Sequence, residues 1–161
     1  MPDAICKMNR NEFTRIINAS LKLVRTEYGL TQDKMALALG ISKKSLVESE
    51  KGRRELGWTE CAALAGIFGQ SRVLQNAFGG DPGDVLAAIA FDDLEVRYPS
   101  TMGGHVWWSD VLEKGGFRIQ QNLISQHYRL LNAQDQRIIS SFDRGEITEY
   151  LEELLKSGEE N

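Results

Sequence analysis

The side chains best suited to chemistry in this sequence are cationic. Lys43 and Lys44 stand side by side directly after Ser42, and Arg53 and Arg54 form a second pair shortly beyond. A lysine on the first turn of a helix donates hydrogen bonds to guanine O6 and N7 or to a phosphate oxygen. The plainer alternative is a charged face in contact with water. Other constellations carry less. Cys6 and Cys61 lie in no CxxC and near no histidine. Neither a disulfide framework nor a zinc site is expected, and a reducing cytoplasm is the default. His105 and His127 have no ligand spacing around them. Gly103-Gly104 and Gly115-Gly116 lack the preceding strand and the following helix with lysine or threonine that make a phosphate loop. Self-cleavage by a lysine-activated serine is not expected, because the C-terminal half holds only Lys114 and Lys156 and its linker region has no Ala-Gly or Cys-Gly pair. Trp107 and Trp108 suggest a stacking platform, but strand alternation that buries one and leaves the other at an interface is the preferred reading. No catalytic residue, metal or cofactor is expected.

The elements that must position the lysines are helical. Phe13, Ile16, Ile17, Leu21, Val24 and Tyr28 recur at helical spacing and predict a first helix from about Asn11 to Tyr28, capped by Gly29. Thr31 is an N-cap for a short helix from Gln32 to Leu39, and Ser42 for a third reaching Glu50. Ala36 is small where two helices touch. Gly40 accepts a positive φ at the turn. Met35, Leu39, Ile41 and Leu46 then form the small core between two steeply crossing helices, which points the first turn of the third helix outward toward a DNA major groove. A fourth helix is predicted over Trp58–Phe68 and a fifth over Ser71–Phe78.

The run Leu30-Thr31-Gln32 through Leu46, with the approach from Val24 and the exit Glu50-Lys51-Gly52-Arg53-Arg54, resembles the Xre/Cro-repressor family of helix-turn-helix regulators. The resemblance covers roughly Leu21–Gly69. It implies a five-helix, usually dimeric DNA-binding domain that reads a palindromic operator. It also implies roles. Gln32 bonds a DNA phosphate and braces the recognition helix. Ser42, Lys43, Lys44, Ser45, Val47 and Glu48 form the groove-facing set, and Arg53 and Arg54 contact the DNA backbone. Arg25 and Glu50 form a structural salt bridge. Three residues depart from the family pattern. Ser49 replaces a bulky apolar residue. Val47 is apolar where a polar residue is usual, so it either refills that seat or touches a thymine methyl. Glu48 is acidic at a DNA-facing position, where it can accept from cytosine N4.

The net charge of −4 is unevenly spread. Residues 1–80 hold 12 Lys/Arg against 8 Asp/Glu, and residues 81–161 hold 7 against 15. A basic half joined to an acidic half suits one face for DNA and another for something else. No apolar run approaches the roughly 18 residues that span a bilayer. The start, Met1-Pro2-Asp3-Ala4, lacks the basic-then-apolar pattern of a leader. Lys7 and Arg10 read as a frayed terminus rather than a DNA-reaching arm. Gly79 to Gly83 is the clearest boundary signal.

Residues 81–104 read as a linker with a short helix over Val85–Ala90. Residues 105–161 read as a small β-rich domain. Val106-Trp107-Trp108, Phe117-Arg118-Ile119, Tyr128 to Leu131 and Arg137-Ile138-Ile139 are its strands, with turns at Lys114-Gly115-Gly116 and Asn132 to Asp135. The stretch Trp107–Leu112 is equally compatible with a helix. A last amphipathic helix, Gly145–Lys156, buries Ile147, Tyr150, Leu151, Leu154 and Leu155 and turns Glu149, Glu152 and Glu153 to water.

The fold class expected is therefore α+β: an N-terminal five-helix bundle of the phage-repressor type, an antiparallel meander and a C-terminal helix. The function expected is a dimeric, sequence-specific transcriptional regulator on double-stranded DNA, with repression and activation both compatible. Val73 and Phe78 on the fifth helix are one candidate dimer surface and the β-rich domain is the other. Two alternatives stand beside this: an antitoxin-type protein whose acidic last helix holds a basic protein partner, and an interaction module that no longer binds DNA. A ligand at the C-terminal domain is a further option. A membrane is not.

Overall fold

The computed structural model describes residues 7–97, 99–100 and 107–159. Within them the protein is α+β, with seven helices and one four-stranded antiparallel sheet. It divides into two compact units, the first ending at Arg97. Cys6, Gly103-Gly104, His105 and Val106 lie outside the described residues.

The first unit holds α1 (Arg10–Glu27), α2 (Gln32–Leu39), α3 (Lys43–Glu50), α4 (Trp58–Ile67), α5 (Arg72–Phe78) and α6 (Pro82–Ala90). Short polar side chains start most of them. Asn9, Thr31, Ser42, Ser71 and Asp81 each accept a bond from an orphan N–H of the first turn. The stripe Phe13, Ile17, Leu21 and Val24 of α1 is fully buried against Met35, Leu46, Leu56, Leu64 and Leu74. Each such side chain contributes roughly 1.5–3 kcal/mol by leaving water. Gly40 sits at φ +69°, which lets the chain reverse between α2 and α3, and the Ile41 N–H bonds back to the Ala36 carbonyl at 3.0 Å.

The linker expected from residue 81 begins instead as a helix of this unit. Asp81 caps α6, Pro82 opens it, and Val85, Leu86 and Ile89 pack on the helical core. The unit therefore extends past Gly79-Gly80 to Arg97. Val73 and Phe78 also serve that core, with the Phe78 ring stacked on Phe13 at 4.8 Å. Phe78 faces α1 through that stacking, and both residues keep part of their surface exposed. Lys7 pairs with Asp92, and Arg10 lies over the Trp58 ring at 4.5 Å. None of the described helices is long and apolar enough to cross a membrane.

The second unit is a meander, β1 (Trp108–Lys114), β2 (Phe117–Asn122), β3 (Tyr128–Leu131) and β4 (Arg137–Ser141), followed by α7 (Arg144–Glu159). The stretch after Trp107 is strand, with a bulge between Asp110 and Leu112. Gly115 stands at φ +60° in the β1–β2 turn. Ile119, Leu130, Ile147 and Leu151 are buried between the sheet and α7. Tyr150 departs from the expected buried face and is 38% exposed.

Candidate nucleic-acid interface

Ser42 starts α3 by accepting the Ser45 N–H at 3.0 Å, and its hydroxyl also meets the Ser45 hydroxyl at 2.9 Å. Leu46 and Ser49 point inward and are buried. Lys43 and Lys44 are exposed, while Ser45, Val47 and Glu48 are half-buried. Val47 is thus split between the two options open to it, partly covered yet still touching solvent. Arg54 Nη1 donates to the hydroxyl of the buried Ser49 at 3.4 Å.

Behind this surface three helices converge on Glu50. Arg25 of α1 donates through Nε at 2.5 Å and through Nη2 at 3.2 Å. Gln32 of α2 donates through Nε2 at 2.9 Å. Arg25 Nη1 also holds the Leu30 carbonyl at 3.0 Å, which anchors the approach to α2. Burial works to raise the Glu50 pKa, but the bonds from Arg25 and Gln32 outweigh it and hold the carboxyl below its ordinary value. The same bond raises the Arg25 guanidinium. The arrangement fixes α3 against α1 and α2 without using any atom of its outer face.

The outer cations are held more loosely. Lys43 Nζ lies 2.8 Å from Asp33 of α2, with both side chains more than half exposed. Arg53 lies 3.5 Å from Glu48. Exposed pairs of this kind are worth about 0–1 kcal/mol and exchange readily for a phosphate oxygen. Arg54 differs: its guanidinium is bound to Glu60 at 2.7 Å as well as to Ser49. It braces the loop between α3 and α4 while 38% of its side chain stays exposed. Gln32, too, spends part of its amide on Glu50 and so ties α2 to α3. Two further exposed cations stand on the same helix pair, Lys34 in the first turn of α2 after its cap Thr31 and Lys51 at the C-cap of α3.

Moving the boundary to Arg97 changes the electrostatics. Residues 1–97 contain 13 Lys/Arg and 13 Asp/Glu, so the helical unit is neutral overall. Five of its acids lie between Asp81 and Glu95, on or just after α6, which packs on α1, α4 and α5 rather than on α2 and α3. Compared with known proteins, the chain matches no family model, no curated protein and no solved structure.

Proposed function

We propose that the protein is a sequence-specific DNA-binding regulator whose first five helices form a helix-turn-helix domain of the phage-repressor type. The observation that carries the reading is the division of labour around α3. Its inner side is locked through Glu50, and its outer side presents Lys43, Lys44 and Ser45 with Arg53 beyond. A helix that enters a groove needs both properties, a fixed docking angle and a front free of structural duties. In this reading Lys43, Lys44, Ser45, Val47 and Glu48 meet base edges, and Gln32, Lys43 and Arg53 position the helix on phosphates. Two copies on one palindromic operator supply the affinity that a single short helix lacks.

The test is binding of the purified chain to fragments of its own upstream DNA, with competitor DNA, at two salt concentrations. Saturable binding that survives competitor, weakens with salt and falls roughly tenfold or more in the Lys43→Ala/Lys44→Ala double variant is the expected result. Binding that ignores both salt and the variant removes α3 from the reading.

A second reading has its own observation. The neutral helical unit and the internal pairing of Lys43 and Arg53 suit an interaction module that has given up DNA. Random-sequence DNA selection that returns no enriched site favours it.

A further inference from the structure

α7 covers one face of the sheet, and among the described residues no helix or strand of the second unit packs on the other. Strand register places two groups of side chains on that open face. Trp108, His127 and Phe142 lie toward one end, with Trp108 and Phe142 each edge-on to the His127 ring. Arg118, Arg129 and Arg137 lie toward the other, because Arg118 and Arg137 both pair in register with Leu131 and Arg129 stands two residues before it on the same strand. The groups touch where the Arg129 guanidinium lies 3.8 Å over the Trp108 ring.

These arginines are under-compensated. Arg118 pairs with Asp135. Among the described residues no carboxylate pairs with Arg129 or Arg137. Asp110 reaches Arg129 only through Gln120, whose Nε2 donates to Asp110 at 2.7 Å while its Oε1 accepts from Arg129 at 2.7 and 3.0 Å. Gln120 is buried, so this relay fixes Arg129 in place rather than neutralising it. Burial lowers the Arg129 pKa, and the positive charges of Arg118 and Arg137 push the same way with Asp135 opposing, which places all three within electrostatic range. All this occurs in a unit whose residues 98–161 hold 6 Lys/Arg against 10 Asp/Glu. Half of its cations thus sit on one sheet face, where Glu113, opposite Arg118 in register, and Asp110, opposite Gln120, are the strand acids and neither forms an ion pair with Arg129 or Arg137 among the described residues.

A face of arginine and aromatic side chains without lysine has the make-up of a protein–protein interface core. Phe142 is 77% exposed beside it. We propose that the open face of the sheet docks a protein partner through an acidic segment carrying an apolar side chain. The carboxylates meet Arg129 and Arg137, and the apolar side chain sits on Phe142 and His127, the latter two residues before Arg129 and so about 7 Å from it along the chain. This inverts the expectation from sequence, in which the glutamates of the last helix capture a basic partner. A nucleic acid is the disfavoured occupant, because its continuous phosphate charge meets the acidic remainder of the unit as well as the arginines.

The test is selection of short random peptides displayed on phage against the full chain, with the selected peptides then synthesised and titrated. The expected result is enrichment of acidic peptides with an aromatic or aliphatic residue. Their affinity falls about tenfold in Arg137→Glu and in Phe142→Ser, and is unchanged in Lys43→Ala/Lys44→Ala. Both interface positions are exposed, and an unaltered unfolding midpoint shows that each variant is folded. Enrichment of basic peptides, no enrichment, or equal binding to the Arg137→Glu and Phe142→Ser variants overturns the proposal. So does a single-stranded oligonucleotide that binds the chain and displaces the selected peptides.

Discussion

In the helical unit a cation and an anion from distant parts of the chain, Arg25 and Glu50, pair with only 17% and 5% of their side chains exposed and hold three helices in register. In the sheet unit the corresponding work is apolar. Ile119, Leu130, Ile147 and Leu151 join sheet to helix, and the arginines Arg129 and Arg137 are left on the opposite face without carboxylate partners. The difference separates charge that holds the fold from charge that is left over for a partner. Where a cation is bidentate, buried and shared by several elements, it belongs to the architecture. Where it is exposed or repelled by its own kind, the fold alone gives no reason for it.

The sharpest way to break this comparison is to remove what each unit relies on. Leu130→Ala deletes a fully buried side chain from the thin layer between sheet and α7. It is expected to destabilise the sheet unit by about 3 kcal/mol, read as faster amide exchange in β2, β3 and α7. Exchange in α1–α3 measured in the same experiment serves as the reference. Glu50→Ala is next. It strands Arg25 and the Gln32 amide, and a loss of about 2 kcal/mol in urea unfolding is expected, placed below the range for fully buried pairs because the Arg25 side chain is 17% exposed.

The same residue has a pH signature. Because the folded carboxyl of Glu50 titrates below its ordinary value, its contribution is complete above the ordinary glutamate range and is lost as pH falls through the lowered folded value. The wild-type unfolding midpoint is therefore expected to drop more steeply with acid than that of Glu50→Gln. Parallel curves for the two proteins would assign the pair no structural role.

How much of this was legible beforehand follows the range of the interactions. Helices α1–α5 and their caps could be read to within a residue or so, since apolar spacing, Thr31, Ser42 and the turn glycines act locally. Strands β2–β4 were legible from their β-branched and aromatic runs and from Gly115-Gly116, whereas β1 runs over Trp108–Lys114 instead of the expected Val106–Trp108, in a stretch whose local pattern suited a helix equally well. Two features were hidden. Gly79-Gly80 looks like a domain boundary, but the Asp81 cap and Pro82 restart a helix whose Val85, Leu86 and Ile89 return to the first core. That return is a tertiary event with no local mark. The arginine face was hidden for a similar reason: Arg118, Arg129 and Arg137 are far apart along the chain, and only strand register brings them to one side. On α3 the periodicity assigned the cations correctly to the surface region, yet it could not see that Glu60, on the next helix, claims Arg54.

The smallest expected effects test the comparison from the other side. Lys43→Ala and Arg137→Gln each remove a charge that the fold does not use. Lys43 loses only an exposed partner, Asp33, and Arg137 loses like-charged neighbours. Stability in each variant is expected to change by less than about 0.5 kcal/mol, within the range of exposed pairs. For Arg137→Gln the sign is expected to be stabilising, since it removes a like charge that acts on Arg129. Added salt discriminates further. It screens the repulsion in the wild type, so the gap between wild type and Arg137→Gln should close as salt rises. A destabilised Arg137→Gln would mean that the arginine is held by the fold after all. The two kinds of charge would then no longer be distinguishable by their partners, and the open face would lose its claim to be a binding surface.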